Sequence, residues 1–186
     1  MALFGLDFTS LEKYLNSYGG YIVRQAKSIL KRRNDTGKLS KSLDFKVNIE
    51  KGGYSLEFLA DEYGKYVGKG VSGTQSRRTY IDAEGNRKPS PFKYRSSSNL
   101  RGLENATGTF REYAKRKGLK GRGKDGRFIT DKSLGFAIAE SVKRKGIRAA
   151  SYYTKPLSMS YRKFRQELER NFGKDIETNI QKMIWV

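Results

Sequence analysis

The chain has 186 residues, 36% hydrophobic and 31% charged, with 39 Lys plus Arg against 19 Asp plus Glu for a formal charge of +20. That length suits one domain with a real core, and that charge calls for a polyanion or an acidic protein nearby, nucleic acid first among them. Cysteine and histidine are both absent, which excludes disulfides, thiolate nucleophiles, Ser-His-Asp triads and the usual zinc ligands.

No apolar run is long enough to cross a membrane. The opening MALFGLDFTSLEKYL lacks a basic segment ahead of a hydrophobic core, so the reading expects a mature start and assembly in the cytoplasm. Thr9 and Glu12 form a capping box before an apolar helical pattern from Leu11 to Leu30. Gly19-Gly20 predicts a kink in that helix, and Lys31, Arg32 and Arg33 suit its C-terminus. Leu43, Phe45, Val47 and Ile49 alternate with polar residues, then Tyr54, Leu56 and Phe58 alternate again. That pattern predicts a β-hairpin over 42–60.

From Val71 to Arg127 the composition becomes polar and basic, and the segment reads as an inserted arm on a single domain spanning 1–186. Tyr80 and Ile81 ahead of DAEGNR suggest a small hairpin, and 100–117 reads as one helix. Lys115, Arg116, Lys117, Lys120, Arg122, Lys124 and Arg127 are interleaved with glycines. The spacing predicts a flexible basic segment whose cations contact phosphates or an acidic partner. Without a strand and a G-K-[ST] sequence it is not a nucleotide loop.

Leu134, Ala137, Ile138, Ser141 and Val142 place one apolar stripe on a helix that Asp131 can cap and Gly146 can end. A short bridge follows, and Tyr152, Tyr153, Lys155 and Pro156 in it are the candidate assembly interface. Pro156 suits the first turn of a last helix. Leu157, Tyr161, Phe164, Leu168, Phe172, Ile176, Ile180 and Ile184 form that helix's stripe, and Gly173 is a possible break. The fold expected is α+β: a small antiparallel sheet packed by a long N-terminal and a C-terminal helix. The carboxylate pairs Asp61-Glu62, Asp82-Glu84 and Glu167-Glu169 make no catalytic set, so neither catalysis nor a cofactor or metal is expected.

Three segments in order carry a resemblance. Thr36-Gly37-x-Leu39-x-x-Ser42 leads into the first strand, and Tyr63-Gly64-Lys65-Tyr66-Val67-x-x-Gly70 follows the hairpin. Phe136, Ile138, Ala139, Gly146 and Ile147 precede Tyr152-Tyr153-Thr154-Lys155-Pro156-Leu157. Together they resemble the tail-completion or neck proteins that join head and tail in tailed bacteriophages, with Tyr-Tyr here where that family more often has Phe-Phe. The resemblance implies a non-catalytic virion subunit in a homo-oligomeric ring of about six or about twelve copies. Its partners would be portal or adaptor and tail proteins, with genomic double-stranded DNA in the channel. The alternative reading from charge alone is a stand-alone basic nucleic-acid-binding protein.

Overall fold

The computed structural model describes residues 6–31, 36–50 and 53–184. The order is α1 (Thr9–Lys31), α2 (Lys38–Ser42), β1 (Asp44–Glu50), β2 (Gly53–Leu59), α3 (Gly64–Lys69), β3 (Val71–Ser72), β4 (Thr79–Ile81), β5 (Arg87–Pro89), α4 (Leu100–Thr107), α5 (Thr109–Arg116), α6 (Asp131–Lys145), β6 (Gly146–Ile147) and α7 (Thr154–Ile184). The architecture is α+β, with three two-stranded antiparallel sheets among the described residues, and α1 and α7 pack together. No described helix is long and apolar enough to cross a membrane.

α1 forms because its apolar residues recur every three or four positions. Leu11, Leu15, Ile22, Ala26 and Leu30 are all buried. Each large one contributes about 1.5–3 kcal/mol by leaving water. Val23, Ala26 and Leu30 close a core with Leu39, Leu43, Ala150 and Tyr152. α1 runs on through Gly19 and Gly20 as one helix. A Cβ on Gly19 would lie 2.3 Å from the Phe45 ring, so the glycine admits the hairpin to the helix surface.

The hairpin expected over 42–60 is β1 and β2, with Phe45 opposite Phe58 and Val47 opposite Leu56. Part of its turn, and Arg32 and Arg33 after α1, lie outside the described residues. α1's cap differs from the expected one. Its Ser10 and Leu11 amides donate to the buried Asp175 carboxylate of α7, at 3.0 and 2.8 Å. Thr9 turns its hydroxyl to Asp7. Asn179, one turn beyond Asp175, takes the Asp7 amide at 2.9 Å and donates to the Asp7 carbonyl at 2.7 Å.

The arm is more regular than its composition suggests. β4 and β5 are the small hairpin, closed by Asp82, whose carboxylate accepts from the Asn86 amide at 2.7 Å. The expected single helix over 100–117 is two. Gly108 (φ 64°) ends α4 in the left-handed region and caps it with a bond to the Glu104 carbonyl. Glu104, fully buried, then accepts from the Phe110 amide at 2.6 Å and so caps α5. Thr130, rather than Asp131, caps α6. The buried face of α6 centres on Gly135 and Ala139, beside the expected stripe, where the Glu104 carboxylate and the Arg111 backbone at the start of α5 lie close against Gly135. α7 passes Gly173 unbroken.

At the end of α6 the Thr74 and Gln75 amides donate to the Lys143 and Arg144 carbonyls, both at 3.0 Å. Gly146 (φ 70°) follows, paired with Ser72 across β3 and β6. Here the loop after β3 caps α6 and ties the α4–α6 group to the hairpin side.

Burial lifts several tyrosine phenols. Those of Tyr14 and Tyr152 are pushed from 10.0 up to about 12, and Tyr153 is raised further for the same reason. A phenol whose folded pKa exceeds its unfolded value keeps its proton longer when folded. Stability is therefore full below about pH 10 and falls as pH climbs from there toward about pH 12. Urea midpoints should hold up to about pH 9 and drop steeply by about pH 11.5. A midpoint flat across that range would mean these phenols ionise freely.

Candidate functional site

The seven expected arm cations fall in two places. Lys115 and Arg116 end α5 and Lys117 is its C-cap. Lys120, Arg122, Lys124 and Arg127 sit on a small turn of chain that the backbone closes. The Gly123 amide donates to the Arg127 carbonyl at 2.8 Å and the Ile129 amide to the Gly121 carbonyl at 3.0 Å. Arg122 and Phe128 form a β-bridge. The segment expected to be flexible thus contains a backbone-bonded turn closed by one bridge.

Phe128 is 63% exposed at its edge. The Arg122 guanidinium lies 4.4 Å from its ring centre and the Lys120 ammonium 5.8 Å. Two other arm cations already face carboxylates. Lys115 lies 3.5 Å from Glu112 and 4.0 Å from Asp131, and Arg127 4.0 Å from Asp125. These are exposed pairs of small individual value. Arg122 also donates to the Gly126 carbonyl at 3.1 Å, and the exposed Phe128 ring with cations beside it is a shape suited to stacking and phosphate contact.

The bridge residues do not form a surface. Tyr152 and Pro156 are buried, and Tyr153 is half-buried. The Tyr153 hydroxyl donates to the Leu59 carbonyl at 2.7 Å, with the Asp44 carbonyl at 3.1 Å, and its ring packs on Phe58 at 5.1 Å. Tyr153 thus ties the hairpin to the start of α7, and Tyr152 packs into the core with Leu30, Leu39 and Leu43. Only Lys155 is exposed.

The apolar surface lies elsewhere, on the second half of α7. There the helix is inverted. Its buried positions are polar, Asp175 at 4% and Asn179 at 5%, because they hold the start of α1. Its apolar residues face out: Phe172, Ile176, Ile180 at 50%, Met183 and Ile184 at 70%. Phe172 is covered on one side by Phe8, whose ring stacks at 5.7 Å. The stripe itself was legible in the sequence, but its outward direction was not. Among the described residues no group of three or more acidic side chains converges as a metal site would need. No protein-family model, curated protein or solved structure matches this chain.

Proposed function

We propose that the protein is a non-catalytic structural subunit that assembles with copies of itself, as a ring at the head–tail junction of a tailed bacteriophage. The observation that supports this reading most is the inverted half of α7. Contiguous exposed apolar residues mark an interaction surface. Residues 167–184 carry Arg170, Lys174 and Lys182 against Glu167, Glu169, Asp175 and Glu177. A chain of +20 repels its copies over most of its surface. This near-neutral apolar stretch is where that repulsion is weakest, so a second copy is the occupant that fits. A helix face meeting a different patch on the next copy gives a head-to-tail contact, and such contacts form rings when the rotation between copies closes.

The carboxyl half of α7 then supplies the subunit contact, and the basic arm faces DNA or an acidic neighbour. Size-exclusion chromatography with light scattering tests this directly. The unaltered chain should elute as an oligomer. I176D/I180D should weaken association about 100-fold or more, near 2.8 kcal/mol, with unchanged circular dichroism because both residues are exposed. A chain that is monomeric at every concentration and still binds duplex DNA would support the stand-alone nucleic-acid-binding protein instead.

A further inference from the structure

A groove of about 650 Å³ lies between the large hairpin and the first half of α7. Leu56 and Phe58 of β2 line it with Leu157, Tyr161 and Phe164 of α7. Leu56, Phe58, Leu157 and Phe164 are only half-buried, and Tyr161 is 61% exposed. Ala83 and Glu84, from the turn between β4 and β5, also line it. That turn is tied to α7, where the Thr154 hydroxyl donates to the Ile81 carbonyl. The Phe164 ring packs 4.3 Å from that of Tyr18, whose hydroxyl lies 2.8 Å from that of Ser160. The walls are therefore fixed within the single chain.

Apolar surface left in water costs about 25 cal/mol for each Å², so the groove calls for an apolar occupant. Its charged lining residues are Glu84 and Arg162, one of each sign. On a chain of +20, such a surface is where a second copy is repelled least. The exposed face of α7 matches it in kind. Phe172, Ile176, Ile180 and Ile184 recur at every fourth position, with Met183 beside them, and a helix fills an apolar groove with anchors spaced in this way. That face cannot reach the groove of its own chain. α7 is one helix from Thr154 to Ile184, which sets Tyr161 and Ile180 about 28 Å apart along its axis. The bonds from the α1 amides to Asp175 hold its second half in place.

We propose that this groove receives the second half of α7 from a second copy of the chain. The inference rests on the self-assembly proposed above and names the surface that the α7 face meets. Face and groove are different patches on the two halves of one helix. Each subunit therefore gives one contact and receives one, which is a head-to-tail arrangement.

The test is light scattering after size exclusion, on the full chain and two variants. A83E/Y161E alters the groove and I176D/I180D the face, all at exposed positions, so circular dichroism should not change. Both variants lower the positive charge, so weaker association cannot come from repulsion between copies. Each alone should associate about 100-fold more weakly or worse. Mixed in equal amounts they should form a heterodimer and nothing larger, because one intact groove then meets one intact face. Single cysteines give a second measurement in a chain that has none. A bismaleimide should join A83C chains to I180C chains in a mixture, and should join neither to its own kind. A groove variant that assembles like the unaltered chain, or I180C chains joined to each other, would overturn the groove and leave self-assembly standing. A mixture that yields no heterodimer would overturn it as well. An unaltered chain that is monomeric at every concentration would sink both the groove and the assembly.

Discussion

Asp175→Ala will destabilise the folded chain by about 3–5 kcal/mol, far beyond an ordinary polar surface substitution. The buried carboxylate accepts from two amides at the start of α1, at 3.0 and 2.8 Å. Bonds to a charged group are worth about 1.5–3 kcal/mol each. A carboxylate at a helix N-terminus also meets the positive end of the helix dipole. Alanine leaves both amides unanswered at a site where water enters poorly. Asp175→Asn keeps one neutral acceptor and should recover about half of the loss. Urea unfolding followed by circular dichroism gives both numbers. A loss below about 1 kcal/mol for the alanine variant would mean that α1 finds another cap, with Thr9 and Asp7 the nearest candidates.

Gly73→Ala should cost a similar amount, about 3–5 kcal/mol, for a steric reason. A Cβ there would stand 2.0 Å from the Arg144 carbonyl oxygen and 2.6 Å from the Gly146 nitrogen. Both are backbone atoms, so no rotamer change relieves the clash. Moving the loop apart also sacrifices the Thr74 and Gln75 amide bonds that cap α6. Each is worth about 1 kcal/mol, and the clash adds about 1–3 kcal/mol. The damage should be local to the joint, so hydrogen exchange would rise first at the end of α6 and in β6. Faster exchange in α1 with α6 protected would contradict this account. The same change at Gly53, where a Cβ meets nothing within 4 Å, tests only backbone conformation and serves as the comparison.

What the sequence disclosed was the local periodicity. Alternation over Leu43–Val47 and Tyr54–Phe58 places the large hairpin, since a side chain's face in a strand depends only on its neighbours two positions away. The small hairpin was legible from the DAEGNR turn, which is also a local signal. Features that depend on distant partners were not. Asp175 caps a helix 164 residues away, and nothing near it in sequence marks that role. Gly19 looks like a helix breaker until Phe45 is seen against it. Residues 100–117 read as one helix, yet Glu104 and Gly108 supply caps that divide it into α4 and α5. Tyr152 and Tyr153 read as part of a candidate assembly interface, but burial is set by what docks on them. The groove walls, spread from Leu56 to Phe164, shared no motif, so only the folded chain collects them.

The clasp between Asp7, Ser10 and Leu11 on one side and Asp175 and Asn179 on the other sets a timetable for synthesis. A ribosome releases α1 long before it releases its cap. During that interval the apolar row Leu11, Leu15, Tyr18 and Ile22 has hairpin partners at most, and none from α7. The nascent chain must therefore wait in a partly open form, suited to chaperone holding, until α7 emerges. The loop that then closes spans nearly the whole chain, which makes this contact slow to form. Proteolysis of stalled chains should show α1 protected only when residues up to about Asn179 have cleared the exit tunnel.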